Sequence, residues 1–414
     1  MLDQDRTRIT YRYERVRALA AGVLEAAAVV FLLLIAVREF NPGPLSKALI
    51  AGGGSFGLLL APWLVSHARA VGWESTQAAS RLSALSAVCY LVIAVIPLLP
   101  VFVLGSVVAQ MASSSIVPFL TQIFHENYPQ DQRGRLYART VVIRIAAAAL
   151  FSYGAGWMLS SGSGRYQWLL LIFSLAAALT SYCLSRCPSK SLAATEGTHP
   201  FRALRYARED RVFRQTLIAW MFLGFAMLMI SPMRVEYLAN PKYGVLWRGE
   251  TLTAGLVALL TGVIPNIARL FLNPLWGWLF DRMNFFILRL SLNAGFMAGI
   301  ISFFVTGSST GLVIGAILWG ISSAGADVAW SLWVTKFAPA ERVADYMAVH
   351  TFFTGVRGVV APIVAFYLVS GIQPAVLGCI CVGLILIGSG FLIPEIKFGR
   401  GARRGTALVE EVSE

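Results

Sequence analysis

The sequence predicts an all-α integral membrane protein whose twelve transmembrane helices form two pseudo-symmetric six-helix bundles. Three observations lead there. Of the 414 residues, 57% are hydrophobic and 13% charged, and the mean hydropathy is +0.69, far from the mix of a soluble domain. Twelve apolar runs each reach the roughly 20 residues needed to cross a hydrocarbon layer about 30 Å thick. A long basic segment then divides them into two sets of six, as duplication of one bundle would.

In chain order, residues 1–17 form a charged cytoplasmic arm, MLDQDRTRITYRYERVR. It does not fit a cleavable signal, because the apolar run behind it is long enough to span. The first bundle, 18–187, holds spans at 18–37, 48–65, 82–99, 101–124, 140–160 and 167–184. PLLP at 97–100 separates two of them by a turn alone, which predicts a helical hairpin. Residues 188–213 are a cytoplasmic basic linker. The second bundle, 214–397, holds spans at 215–233, 252–280, 285–305, 311–334, 347–370 and 372–393, the last two hinged at SGIQP, 370–374. Residues 398–414 are a cytoplasmic tail.

Orientation follows from basic residues, which are retained on the cytoplasmic side. With the N-terminus inside, 25 of the 34 Lys and Arg residues face the cytoplasm. Six lie in outer loops (Arg38, Lys47, Arg165, Arg234, Lys242, Arg248), and three, Arg144, Arg269 and Arg357, are counted within spans. Both termini are therefore expected in the cytoplasm, with the chain in the cell's inner membrane. The net charge of +13 then reflects topology and attraction to anionic lipid, not nucleic acid. Phe201, Leu204 and Phe213 lie among seven basic residues between Arg186 and Arg214. That stretch reads as a short helix on the inner membrane surface or as a disordered linker.

Chemistry at a catalytic centre has no visible residues. Cys89, Cys183, Cys187, Cys379 and Cys381 sit in or at the ends of apolar runs without histidine partners, so they read as core side chains. No nucleotide loop, HExxH or Ser/His/Asp arrangement is present. Neither enzyme activity, metal nor cofactor is expected.

The halves echo one another. FHENYPQDQRGRLYAR and KFAPAERVADYMAV align Pro129 with Pro339, Arg133 with Arg342 and Tyr137 with Tyr346, and FNPGP loosely matches LANPKYG. Parallel duplication with a binding site between halves is a transporter plan. In NPLWGWLFDRMN, moreover, Gly277, Asp281 and Arg282 match the G-x-x-x-D-R inner-loop motif of the major facilitator superfamily, and Pro129, Arg133 and Gly134 match P-x-x-x-R-G. On these motifs and the span pattern the chain resembles that superfamily over about residues 14–397. The resemblance implies its fold and secondary transport by alternating access. Two departures stand out: Asn284 occupies a position usually held by Gly, and APWLVSHARAVG offers Ser66 and His67 in place of the first-half acid.

The motif has a physical reading. A carboxylate at the inner end of one helix can accept hydrogen bonds from a helix start in the opposite half, so Asp281 with Arg133, Arg135 or Arg139 would clamp the cytoplasmic face. Arg342 is the second-half counterpart of Arg133. The alternative is that Asp281 only orients its own loop.

Ionisable residues inside spans are costly and mark function. Asp327 lies nine residues above Lys336, and Arg357 twelve above Asp345 on the returning helix. At about 1.5 Å per residue both lie near mid-core, and Arg269, twelve residues before Asp281, shares that level. Asp327 is expected to pair with Arg357 or Arg269 and to exchange between protonated, paired and substrate-bound forms. Glu25 and Arg144 offer a smaller version in the first half. Either carboxylate could carry a coupling proton; two fixed structural pairs are the alternative.

Gln110, Trp220, Asn266 and Trp330 are cavity candidates, with Ser113 to Ser115 and Trp333 behind them. The superfamily turns its first, fourth, seventh and tenth helices to the cavity, which favours Gln110, Trp220 and Trp330. Indole faces stack on sugar rings or organic cations, and amides bind hydroxyls. Met221, Met227, Met229 and Met233 read as core filler.

The expected cargo is a small organic solute, a sugar, an organic anion or similar, carried by a monomer in the bilayer with protons as candidate coupling ion. The superfamily's drug/proton exporters carry Gly-Pro in the fifth span; TVVIRIAAAALFSYGAGWML has Gly154 and Gly156 but no proline. Symport or facilitated uptake is therefore favoured over export. A non-transporting membrane scaffold or sensor is the alternative from another class.

Overall fold

The computed structural model describes residues 3–129, 132–162, 165–189, 205–336 and 343–396. Twelve helices in it are long and apolar enough to cross a membrane. They are α1 (Asp5–Phe40), α2 (Pro44–Ala70), α3 (Ser75–Val95), α4 (Leu99–Asn127), α5 (Arg133–Ser160) and α6 (Tyr166–Ser185), followed by α7 (Arg211–Ala239), α8 (Ala254–Arg282), α9 (Phe285–Phe304), α10 (Ser309–Trp330), α11 (Tyr346–Gly371) and α12 (Pro374–Leu392). Two compact units result. One comprises Met1–Thr198, Val235–Gly244 and Thr251–Val263, and the other His199–Arg234, Val245–Glu250 and Ile264–Glu414. The last turn of α7 and the first turns of α8 thus belong with the first unit.

Polar backbone cannot be left unpaired in hydrocarbon, so spans are helical and turn apolar side chains outward. Leu150, Phe271 and Leu175 are accordingly 75%, 74% and 69% exposed, an inversion of the soluble pattern that only lipid can cover. Inward, small residues let backbones meet. A Cβ at Gly57 of α2 would strike the Met111 carbonyl of α4, and one at Gly53 would lie 2.8 Å from the Gln110 amide.

Helix α1 runs back through the charged arm because the arm is packed, not solvated. Tyr11 and Tyr13 lie against a buried cluster that includes Ile123, Phe124 and Cys187. Thr7 donates to the Asn127 carbonyl at 2.6 Å, and Arg17 is held by Glu14, one turn back, at 2.6 Å. The same helix widens to π geometry at Ala27–Phe31 and Ala36–Phe40, then stops where Asn41 turns left-handed, with Pro44 starting α2. A second π segment, Leu259–Val263, interrupts α8.

The connections explain two sequence features. Asn284 caps α9 by accepting from the Phe286 amide at 2.8 Å, and its own amide donates to the Ile396 carbonyl at 2.7 Å. A glycine at this position would do neither. Between α7 and α8, two short strands, β1 (Leu246–Trp247) and β2 (Glu250–Thr251), form a hairpin. Its turn places both Arg248 and Gly249 at positive φ, as a two-residue primed turn requires.

One expectation is corrected. Phe213 does not lie on the membrane surface: it is fully buried at the start of α7, stacked on Trp333 and 4.2 Å from the Tyr346 ring. The basic linker around Phe201 and Leu204, the tail beyond 397, and Pro339 and Arg342 lie outside the described residues. A short helix, Tyr206–Glu209, leads into α7.

Cys187, just past α6, shows what this packing does to a titratable group. Burial pushes its thiol up to about 12, with Glu14 adding to the shift and Arg17 opposing it. A thiol so raised stays protonated at all ordinary pH, and the thiolate is the nucleophile. Cys187 is expected to resist iodoacetamide at pH 8 in the folded, detergent-solubilised protein and to react on unfolding, as read by mass spectrometry. Rapid folded-state labelling would contradict the packing of the arm.

Candidate functional site

In the second unit, α8 and α10 present the carboxylate singled out in the sequence. Gly320 makes this possible, because a Cβ there would lie 2.8 Å from the Pro265 backbone, so the two helices touch. Two turns further along, Asp327 Oδ2 accepts from Arg269 Nε at 2.9 Å and Nη2 at 2.7 Å. Arg269 Nη1 donates to the Asn266 side-chain oxygen at 2.8 Å, so the buried amide one turn back orients the guanidinium. The pair is unequal in exposure: the arginine side chain is 13% exposed and the aspartate 43%. A charge-assisted fork whose carboxylate stays partly exposed can hold it while leaving it reachable by proton or solute.

The structure pairs Asp327 with Arg269 and not with Arg357. Arg357, on α11, turns to the Trp220 carbonyl with Nη1 and to Thr354 Oγ1 with Nη2 at 2.8 Å. Trp220 is buried against Trp333 and His350 at ring separations of 5.8 and 5.2 Å, while Trp330 approaches His350 at 5.7 Å. Arg289 of α9 covers Trp220 at 4.3 Å. Sequence reasoning singles out neither Arg289 nor His350. It counts Arg289 with the cytoplasmic face, yet that residue is only 3% exposed, and His350 is fully buried. A lone histidine in an apolar run carries no spacing signal, whereas Arg289, four residues into a predicted span, carries a visible one.

In the first unit Arg144 Nε of α5 lies 3.2 Å from Glu25 Oε2 of α1, immediately before the first π segment. Gly22, one turn earlier, allows the approach: a Cβ there would meet the Arg144 carbonyl. Gln110 is occupied otherwise than a cavity amide, donating to the Ile50 and Ser106 carbonyls at 2.8 and 3.3 Å while 5% exposed. It joins α2 to α4.

Sequence reasoning also misses an ion pair in this unit. Lys47 Nζ lies 2.7 Å from Glu236 Oε1, with side chains 7% and 1% exposed, and Asn240 donates to the same oxygen at 2.8 Å. Both residues read as loop-flanking charge, because each lies at the end of an apolar run.

Among the motif residues, Arg133 donates to the His125 and Tyr128 carbonyls at 3.1 and 3.3 Å, which fastens the start of α5 to the end of α4. Arg135 and Asp281 are exposed. Arg282 covers the Trp278 ring at 4.3 Å, and Gly277 has open space where a Cβ would be. At the degenerate first-half motif His67 stacks on Trp63 at 5.6 Å and meets the edge of Trp73 at 5.8 Å, while Arg81 covers Trp73 at 4.0 Å. Rings hold that turn where an acid would otherwise do so.

The sequence profile of the Major Facilitator Superfamily matches residues 18–362. Solved structures share the architecture at low identity. A mutant of the nucleoside transporter NupG aligns over 93% of this chain and 99% of its own at 13% identity and a TM-score of 0.73. The xylose transporter XylE from E. coli, in an inward-open conformation, aligns over 94% and 96% at 14% identity and 0.64. A bacterial homologue of the human lysosomal transporter Spinster aligns over 97% of both chains at 15% identity and 0.61. No curated protein sequence matches the chain.

The Lys47–Glu236 pair gives a test of the first unit. Removing one partner strands the other charge, so Lys47→Met or Glu236→Gln alone is expected to cost about 3–5 kcal/mol. Replacing both by Met should recover most of that loss, because two apolar side chains leave no unpaired charge. Unfolding of the detergent-purified variants measures both; additive losses in the double variant would refute a coupled pair.

Proposed function

Since the chain belongs to the major facilitator superfamily, we propose that it is a secondary transporter moving a small polar organic solute by alternating access, with Arg269–Asp327 as its exchangeable element. The single observation that supports this is the asymmetry of that pair: a guanidinium fixed by Asn266 faces a carboxylate that is 43% exposed. A purely structural pair within the hydrocarbon would hide both ends, because an uncovered charge there is costly. Glu25–Arg144, with side chains 21% and 35% exposed, is a second candidate for proton exchange. A nucleoside and xylose are the solutes named for two structural neighbours, and both are polar organics.

In this reading the charge asymmetry of the loops sets both termini in the cytoplasm and the chain in the inner membrane. The motif acid Asp281 and the basic run Arg133, Arg135 and Arg139 are the residues proposed to gate the cytoplasmic side. Trp330, beside His350, and Asn266, beside Arg269, stand on the helices that bear the exchangeable pair. Catalysis plays no part, and the working unit is one chain.

Alternating access needs differential contacts in two states, and the proposal assigns one of them to Asp327. In proteoliposomes offered labelled nucleosides, pentoses and dicarboxylates, one class is expected to show saturable flux. Asp327→Asn should cut that flux by about tenfold or more, the kinetic equivalent of about 1.4 kcal/mol, while the variant stays folded. If a proton is coupled, an imposed pH gradient drives accumulation in the wild type alone. Flux equal with and without the gradient removes coupling, and absence of flux for every class favours the scaffold reading.

A further inference from the structure

Arg289, Arg357 and His350 form a basic cluster inside the second unit that no carboxylate among the described residues pairs with. Arg289 Nε and Nη1 are buried without a hydrogen-bond acceptor, and its charge rests only against the Trp220 face. Both ring nitrogens of His350 are buried without a partner, as is Arg357 Nε. Both guanidiniums act electrostatically on His350, and Arg289 acts on Arg357, so the three belong to one cluster. Nearby acids are engaged elsewhere: Asp327 with Arg269, and Asp210 with the Tyr346 hydroxyl at 2.9 Å and the Phe213 amide at 2.9 Å.

Such an arrangement is unfavourable as it stands. Like charges repel strongly in a medium of low dielectric, and each buried guanidinium without a counter-charge adds a desolvation cost. Five orphaned nitrogens lie in one place; the three of the guanidiniums, with the one N–H of a neutral imidazole, call for an acceptor. The acceptor must carry negative charge and several oxygens, because a planar guanidinium fork matches carboxylate or phosphate edges. Local packing also keeps the forks aimed. The Trp220 ring supports Arg289, and Gly224 leaves room for Arg357, since a Cβ there would collide with the guanidinium carbon and Nε.

We propose that Arg289, Arg357 and His350 form an oxyanion-binding site that takes a carboxylate or phosphate group, and that the solute carried is accordingly a small organic anion. The second clause rests on the transport reading; the first does not. A soluble anion and the phosphate of an anionic lipid headgroup share this chemistry, and the test separates them.

The full chain in phosphatidylcholine nanodiscs is titrated with sodium phosphate and with sodium succinate, against sodium chloride at matched ionic strength. Tryptophan emission and thermal unfolding are followed. Expected is a saturable change in emission with a raised melting temperature for at least one oxyanion and none for chloride. Arg289→Gln should weaken it by about tenfold, as loss of one charge-assisted contact implies. Gly224→Ala keeps every charge but displaces the Arg357 guanidinium, so it should weaken binding to a similar degree even if Arg289→Gln fails to fold.

A response that needs phosphatidylglycerol in the disc, with none to soluble anions, supports the site and overturns the cargo assignment. No response to phosphate, succinate or phosphatidylglycerol, or responses unchanged in both variants, overturns the site. Intact binding without flux in proteoliposomes counts against transport alone.

Discussion

A charge carried into hydrocarbon has to be met by a counter-charge, a carbonyl or an aromatic face, and the described helices are arranged around how this is done. Lys47 and Glu236 meet as a closed pair at 2.7 Å with almost no exposure. Arg234, near the end of α7, has the ring of Trp319 at 4.5 Å and that of Phe303 at 5.2 Å. Arg269 meets a carboxylate that is still reachable. Arg289 meets only a ring. The series runs from a charge met by its opposite to one met by a ring alone, and the unsatisfied end is where a ligand has something to supply.

Packing decides which charges can meet. Gly22 lets α1 touch α5, and one turn later Glu25 finds Arg144. Gly320 lets α10 touch α8, and two turns later Asp327 finds Arg269. In both cases a residue without a side chain sets the backbone distance, and the arginine's length makes up the remainder. The π segment of α1 begins two residues after Glu25, and such widened turns occur preferentially at functional positions. A helix that carries a charge in its core is thus irregular next to it, which connects local geometry with the site.

Much of the fold was legible because hydropathy is a strong, local signal: all twelve predicted spans overlap described helices, and α9 begins at Phe285 as read. Depth was legible for Asp327 and Arg269, which rise per residue put at one level and which meet at 2.7 Å. Which arginine would face the aspartate was not, because rise gives height and says nothing of the rotation of one helix relative to another. Gln110 was misread for a related reason. An amide in a span suggests a cavity, but Gly53 on the neighbouring helix opens room for that amide to reach the Ile50 carbonyl. Lys47, Glu236 and Arg289 escaped because they sit within a few residues of a span end, where a long side chain can snorkel outward or fold inward with the same sequence.

Arg269 and Arg289 therefore represent two different chemistries on neighbouring helices of one unit. The first already has its anion, so anything that binds Asp327 must compete with a guanidinium fork, and protonation of the carboxylate is one way to win that competition. The second has no anion among the described residues, so a carboxylate or phosphate group would compete with no carboxylate there. A carrier that used both would protonate Asp327, which leaves the Arg269 guanidinium as a second uncompensated positive charge, and would meet that charge and the orphan arginine with anionic cargo. The physical distinction lies in Arg269, whose partner is covalently part of the chain, and Arg289, whose partner would have to arrive.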